Sequence, residues 1–403
     1  MPLPGSVLII VENLPLPFDR RVWMEATTLR AAGWEVSIIC PTGKGFETHH
    51  EVLEGVHIYR HDLPAEGQGL SGYVREYASA VRSQFRLARR IWRKRTFDVV
   101  HICNPPDLLF LVAAWYKVFH GARVIFDQHD IMPELYEAKF RRRDWGYAVT
   151  RVAERLTFAT ADVVISTNES YRNIALTRGR KRPAEVFVVR SAPDLQRFCP
   201  TQPETGFRRG RPHLVGYVGV MGPQEGLDHL LRAVDRIVRV NGREDISFML
   251  IGDGPSRASL RKMTHALGLD DYVEFAGRVP DEELIRRLCS SDLCVNPDPK
   301  NPFNDASSMN KILEYMSLGK PIVQFDLKEG RRSAADASVY AVPNDDADLA
   351  QKIMSCVDDP DACAAMGRAG ARRMSEELGW RQQAPRLLQA YDALPDKPGR
   401  MRS

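Results

Sequence analysis

The chain has no long apolar run, no C-x-x-C pair, and no D-x-D pair set directly after a strand-like run. Its longest apolar stretch, Leu108 to Tyr116, has nine residues. A bilayer span needs ~20, so any membrane contact is expected to be peripheral. The seven cysteines, Cys40, Cys103, Cys199, Cys289, Cys294, Cys356 and Cys363, are odd in number and scattered. They read as reduced thiols of a cytoplasmic protein rather than a disulfide framework. No Lys or Arg precedes Arg20, and the apolar run VLIIV meets Glu12 at once, which argues against a secretory signal. The acidic pairs Asp345-Asp346 and Asp358-Asp359 read as helix caps and turns, so neither a catalytic metal nor a cofactor is expected.

Basic surplus is missing from the second half. Residues 1–200 carry 28 Lys and Arg against 22 Asp and Glu, whereas residues 201–403 carry 28 against 30. The asymmetry suggests an anionic partner for the N-terminal half. No nucleic-acid-binding motif accompanies it, so nucleic acid is not expected. Two segments concentrate the charge, RSQFRLARRIWRKR (Arg82 to Arg95) and KFRRRDWGYAVTRVAERL (Lys139 to Leu156). Both mix Arg with Phe, Leu, Ile or Trp, as helices do that lie on an anionic membrane surface or grip a polyprenyl diphosphate. A solvated helix face accounts for either segment as well.

A length of 403 residues suits two domains of about 200. Short β-branched runs alternate with amphipathic segments from the start: SVLIIVE, VSIIC, FDVVHI, ARVIFDQ, ADVVIST and VFVVRSA. After a polar interval the pattern restarts with HLVGYVGV, ISFMLIGDG, VEFAGRV, DLCVNPD, PIVQFD and ASVYAVP. Buried strands joined by crossover helices predict an α/β protein of two Rossmann-like, doubly wound parallel-sheet domains, with ligands bound in a cleft between the carboxyl ends of the sheets. The expected boundaries are an N-terminal domain over 1–199, a linker over 200–212, a C-terminal domain over 213–378, a helix over 379–394 able to cross back onto the N-terminal domain, and a tail over 395–403.

The stretch around which the rest is organised is SSMNKILEYMSLGKPIV, Ser307 to Val323. Met309, Ile312, Leu313 and Met316 fall at i, i+3, i+4 and i+7, one face of a helix, with Lys311 and Glu314 on the other. Gly319 and Pro321 end the helix, and a short strand follows. The polar loop ahead of it enters a helix N-terminus, where free N–H groups suit an anion such as a diphosphate.

This segment resembles the donor-binding segment of retaining glycosyltransferases of family 4, which have the two-domain GT-B fold. Their motif places two glutamates eight positions apart; Glu314 matches the second, which holds the donor ribose, and the first position falls on Ala306. The resemblance extends over nearly the whole chain and implies further roles. FDQHDIMPE, Phe126 to Glu134, is similar to the segment whose histidine contacts the transferred sugar, which points to His129, with Asp130 and Glu134 as phosphate or acceptor candidates. In the loop after the first strand, where related enzymes carry a Gly-Gly pair, this chain has Phe18-Asp19-Arg20-Arg21, and Arg20 and Arg21 become candidate phosphate ligands. An Arg21–Glu25 pair on a solvated helix is the alternative. Gly219 to Gly226 aligns with a Gly-Arg-x-x-x-x-Lys-Gly pattern whose cations neutralise the donor diphosphate; Val220 and Glu225 stand in those two positions. Charge would then come from Lys311, Arg20 or Arg21, with loop N–H groups near Ser308, Met309 and Asn310. Gly219, Gly222, Gly252, Gly254 and Arg278 complete the implied donor site.

The resemblance implies a metal-independent, retaining transfer of a hexose or hexosamine from a nucleotide diphosphate sugar to a polyprenyl-diphosphate-linked or other glycan acceptor. The setting would be surface polysaccharide assembly at the inner face of the cell membrane. Two alternatives stand beside it: a non-hydrolysing sugar-nucleotide epimerase, and a catalytically silent homologue serving as a binding subunit.

Overall fold

Fourteen strands, most of them largely buried, build two sheets in a computed structural model that describes residues 5–62, 69–195 and 198–396. The chain divides into two units, Met1–Ser191 with Arg381–Ser403, and Ala192–Trp380.

The first unit holds β1 (Ser6–Val11), β2 (Glu35–Pro41), β3 (His50–Leu53), β4 (Val56–His61), β5 (Val99–Cys103), β6 (Arg123–Gln128), β7 (Val163–Ser166) and β8 (Val186–Val188), in the order β3-β4-β2-β1-β5-β6-β7-β8. All neighbours are parallel except the edge pair β3 and β4. The crossovers use α1 (Arg20–Ala31), α2 (Gly69–Lys94), α3 (Phe110–His120), α4 (Met132–Phe140), α5 (Trp145–Thr160) and α6 (Glu169–Thr177). Strands covered on both faces read as continuous apolar runs, which is why SVLIIV and VVHIC are buried almost throughout. Leu8, Ile10, Val100, Ile102, Val124 and Phe126 form the core on the α3 side.

The second unit holds β9 (His213–Val218), β10 (Ile246–Ile251), β11 (Val273–Gly277), β12 (Leu293–Asn296), β13 (Ile322–Phe325) and β14 (Ser338–Ala341), all parallel. Their order, β11-β10-β9-β12-β13-β14, is the doubly wound order 3-2-1-4-5-6. In each sheet the winding reverses direction beside the unit's first strand, between β1 and β5 and between β9 and β12. Ligands of such sheets bind outside the carboxyl ends at that point.

One feature of the division differs from the boundaries expected above. The interval 200–212, which composition marks as linker, is fastened to the second unit: Arg208 forks onto Asp292 at 2.7 and 2.8 Å, and Arg286 onto Glu204 at 2.6 and 3.1 Å. Its polar residues make ion pairs rather than a solvated tether. The C-terminal helix, Trp380–Asp392, packs in the first unit, where Tyr391 meets the Trp34 ring edge-on at 5.0 Å and its hydroxyl lies 2.8 Å from His101 Nδ1. Asp345 and Asp359 cap the helices that follow them, and all seven cysteines are unpaired. Beyond Asp396 the expected tail lies outside the described residues.

Candidate active site

In the first unit, loops leaving β1, β5 and β6 converge at the switch point and bring together Arg21, Asn104 and the segment Asp127 to Asp130. Side chains two apart on an extended chain share a face, so Asp127 and His129 stand side by side. Asp127 Oδ2 lies 2.5 Å from His129 Nε2. Arg21 Nε, which only donates, lies 3.1 Å from the same Nε2, so this ring nitrogen sits between a carboxylate and a guanidinium N–H. The backbone N–H groups of His129 and Asp130 donate to Asn104 Oδ1 at 2.8 and 3.1 Å, and Asn104 Nδ2 donates to Asp107 Oδ1 and to the Asp130 carbonyl, both at 2.8 Å. The imidazole is thereby held at both its backbone and its Nε2. Its Nδ1 bonds no protein group among the described residues, and it is the atom left for a ligand.

Arg21 is the counter-ion of this arrangement and not, as expected above, a phosphate ligand. Its guanidinium is buried and forks onto Asp127, Nη2 to Oδ1 at 2.7 Å and Nε to Oδ2 at 3.1 Å, while Nη1 donates to the Val189 carbonyl at 2.8 Å and to Ser191 Oγ at 3.3 Å. Nη2 also lies 3.2 Å from Glu25. The Arg21–Glu25 pair therefore exists, but inside the unit and not on a solvated helix. Burial opposes the Arg21 charge, and Asp127 and Glu25 outweigh it and hold the group above its usual range. Burial opposes the Asp127 charge too, and Arg21 and His129 keep that carboxyl well below the usual range. Glu25 goes the other way, pushed well up by burial and by Asp127.

The remaining candidates of this unit are placed as follows. Arg20 is half-buried and opens α1, whose N-cap Asp19 accepts the Val22 N–H at 3.2 Å. Asp130 is half-buried, and burial raises its carboxyl. Glu134 is committed to Arg178, which also binds Glu154; a carboxylate held in that network is removed from the acceptor candidates. His101, Cys103 and Asp127 offer ligand atoms within 4.8 Å of one another. Both Asp127 oxygens already face Arg21, and burial pushes the Cys103 thiol well up, so this donor set does not fit a cation.

Behind Asn104, burial pushes Asp107 up to about 8 against the hydrogen bond from Asn104, and its Oδ2 has no partner. A carboxyl raised in the folded state keeps its proton where the unfolded chain releases it, so its contribution is full below pH ~4 and is lost as pH rises towards 8. Asp107→Asn keeps the acceptor oxygen and cannot ionise. Relative to the parent, the variant is expected to gain thermal stability steadily from pH 5 to 8; melting curves that stay parallel across that range would contradict the assignment.

In the second unit, the loop after β9 opens α7 (Leu227–Asp235), and the helix Asn310–Ser317 leads into β13. Gly319 ends that helix at φ 64°, as its sequence requires. Lys311, placed on the outer face by its spacing, is instead buried: Nζ lies 2.5 Å from Glu225 Oε2, 2.9 Å from Asp298 Oδ1 and 5.0 Å from the centre of the Tyr217 ring. Burial works against its charge, and Asp298 and Glu225 hold it well above the usual lysine range. Asp298 is raised to about 7 by burial, with Lys311 pulling down and Glu225 pushing up. Glu225 is therefore paired rather than repelling an anion, but the pairing consumes the cation expected at the diphosphate. Gly252 and Gly254 make a packed turn. A Cβ at Gly252 would fall 1.9 Å from the Gly219 carbonyl oxygen, at φ 135°, and one at Gly254 2.7 Å from Met221 N. Met221 N–H donates to Asp253 O at 3.0 Å and Ser256 N–H to Met221 O at 2.8 Å, so these glycines, with Gly222 in the same loop, shape the backbone. Ser308, Met309 and Glu314 are half-buried, Asn310 and Arg278 exposed. Asn310 begins the helix, and Met309 before it makes no side-chain cap.

Two family descriptions cover most of the chain: "Glycosyl transferase 4-like domain" matches residues 19–192, and "Glycosyl transferases group 1" matches residues 212–359. The chain belongs to the group 1 glycosyltransferases. It is 25% identical over 397 residues to a glycogen synthase of Mycobacterium tuberculosis (strain CDC 1551 / Oshkosh), across 92% of this chain and 90% of that protein. It is also 25% identical over 216 residues to a GDP-mannose-dependent monoacylated alpha-(1-6)-phosphatidylinositol monomannoside mannosyltransferase of Corynebacterium glutamicum, across 51% of this chain and 55% of that one. In fold it is similar to HepE of Anabaena solved with UDP and glucose, with TM-score 0.73 and 16% identity over 97% of this chain and 100% of that one. Both units of this glycosyltransferase are accordingly the Rossmann-like halves of a GT-B fold. The residues that sequence reading passed over in it are Asp127, Asn104 and Asp298. Asp127 carried a signal, since it stands two before His129 at a strand end; Asn104 and Asp298 carried none beyond following a strand.

Proposed function

We propose that this glycosyltransferase is retaining and moves a hexose or hexosamine from a nucleotide diphosphate sugar to a lipid-linked glycan acceptor, polyprenyl-diphosphate-linked or similar, in surface polysaccharide assembly. The observation that carries the reading is His129, held by Asp127 and Asn104 with Nδ1 open at the carboxyl end of β6. His129 Nδ1 hydrogen-bonds a hydroxyl of the transferred sugar. Glu314 binds the ribose, and the N–H groups at the start of the Asn310–Ser317 helix meet the diphosphate. The leaving diphosphate assists the incoming hydroxyl on the same face, so no protein nucleophile is required, and stabilising the leaving group is the main demand. The mannosyltransferase relative, whose name carries a phosphatidylinositol acceptor, supports a lipid-linked acceptor here.

A second reading, a binding subunit without catalysis, is favoured by one observation: Lys311 is neutralised by Glu225 and Asp298, and exposed Val220 stands where the family has arginine. Thermal shift against a panel of nucleotide diphosphates and their sugars separates the two. A ligand at 100 times its dissociation constant adds ~2.7 kcal/mol, and one base is expected to shift the parent clearly and Glu314→Ala far less. His129→Ala is expected to retain the nucleotide shift and to lose about 100-fold in transfer rate. No shift with any nucleotide selects the silent reading.

A further inference from the structure

We infer that the outward faces of α3 and α5 form one docking surface for an anionic lipid bilayer. On α3, Leu111, Trp115, Val118 and Phe119 fall at i, i+4, i+7 and i+8; on α5, Trp145, Val149, Val152 and Leu156 fall at i, i+4, i+7 and i+11. All eight side chains are 44% to 72% exposed, and the two helices pack against each other, with Lys117 Nζ bonded to the Thr160 carbonyl and to Asp162. The opposite sides of the same helices are buried through Val112, Ala113 and Tyr116, and through Ala153, Thr157 and Phe158. Each helix is thus apolar on both sides, and only one side has protein to cover it. An apolar patch of this extent on a single chain marks an interaction or membrane site.

The charge around the patch selects the occupant. The neighbouring α2, which meets α3 through the edge contact of Phe85 and Trp115, turns its apolar residues inward and presents six exposed cations between Arg82 and Lys94. The basic segment Arg82 to Arg95 therefore supplies charge to the surface, not apolar area. Arg141 to Arg143 precede Trp145, with Arg142 paired to Asp144 and Arg143 to Glu137 at 2.8 Å each, and Arg151 and Arg155 flank the α5 stripe with their cations exposed. No Asp or Glu occurs in α3, and the one acid of α5, Glu154, is buried on Arg178. Apolar side chains with tryptophans among them, edged by cations of one sign, match the acyl boundary and headgroups of an anionic leaflet. A second copy fits poorly, since a two-fold contact would set the same cationic edges against each other. Nucleic acid offers nothing to the apolar stripe.

The surface gives purpose to the lipid-linked acceptor reading and rests on that reading for its purpose alone. Its test is sedimentation of the full chain with vesicles of phosphatidylcholine, with and without phosphatidylglycerol. Binding is expected with phosphatidylglycerol only, weakened by salt, and at least ~10-fold weaker for Trp115→Glu/Trp145→Glu and for Arg89→Glu/Arg93→Glu. Both pairs are surface positions, and unchanged melting temperatures would exclude misfolding as the cause. Binding equal to the parent in both variants, or none by the parent, overturns the proposal. So does a parent dimer in the absence of vesicles that the Trp115→Glu/Trp145→Glu variant abolishes, which would assign the face to a second copy. A nucleotide shift without vesicle binding defeats this surface alone, and vesicle binding without a nucleotide shift defeats the transfer reading alone.

Discussion

Arg21→Met is expected to destabilise the first unit by about 3–5 kcal/mol, because removing one member of a buried ion pair leaves the other charge uncompensated. The loss is large here for a geometric reason. Arg21 holds Asp127 through a two-point fork and stands against Glu25, and it also caps the Val189 carbonyl. Lysine cannot reproduce the fork, since an ammonium is a single point of charge, so Arg21→Lys is expected to recover only part of the loss. Arg21→Met combined with Asp127→Asn removes both charges and should be less destabilised than Arg21→Met alone, which is the signature of a coupled pair. Urea unfolding of the first unit, followed beside a probe of the second, measures all three. An Arg21→Met variant within ~1 kcal/mol of the parent would show that the guanidinium is not structural and would return it to the phosphate candidates. The same series reads out on chemistry. Asp127 touches no substrate in the proposed mechanism and acts through His129, so Asp127→Asn should slow transfer in the parent and add little in a His129→Ala background.

The second large effect is expected for Lys311→Met. Glu225 and Asp298 would remain beside each other with no cation between them, and the second unit should lose about 3–5 kcal/mol, relieved at low pH where both carboxyls take protons. Asp298 is already raised to about 7 with the lysine present. Once the lysine's pull is gone, the hydrogen bond from Asn296 is left against the burial that raises Asp298. Lys311→Met in a Glu225→Gln background should fall back towards the parent. Nucleotide binding by that double variant is informative in itself. Binding retained without Lys311 would assign the diphosphate to backbone N–H groups at Asn310, and binding lost would show that the lysine turns outward when a donor arrives. A single variant as stable as the parent at neutral pH would contradict the buried triad.

Much of the fold was open to local reading because its signals are short-range. SVLIIV, VVHIC and ISFMLI are apolar without alternation, and only strands covered on both faces need that composition. Gly319 with Pro321 ends a helix wherever it occurs, since one takes the left-handed cap and the other cannot continue the turn. The restart of the α/β pattern after residue 212 implied a second sheet, and the resemblance of the following helix to the family 4 donor-binding segment picked out Glu314. The position of His129 at a strand end was legible in the same way.

What could not be read is which charged side chains face each other. Arg21 and Asp127 are 106 residues apart, and Lys311 and Glu225 are 86 apart. In each case the pair meets only because the strand order sets one loop beside another at the switch point. Spacing along a helix placed Arg21 and Lys311 on outer faces, as it does for nearly every Arg and Lys, since an unpaired charge is costly to bury. The tertiary structure reversed both by supplying carboxylates from distant loops. The apolar face of α3 shows the converse: LFLVAAWY is a continuous apolar run, yet Leu111, Trp115, Val118 and Phe119 on one side of that helix stay exposed. Local sequence thus determined the strands, the helix ends and the two-sheet grammar through backbone sterics and apolar burial. Only the packed chain decided which cations are internal counter-ions and which apolar residues stay outside, because those depend on partners far away in sequence.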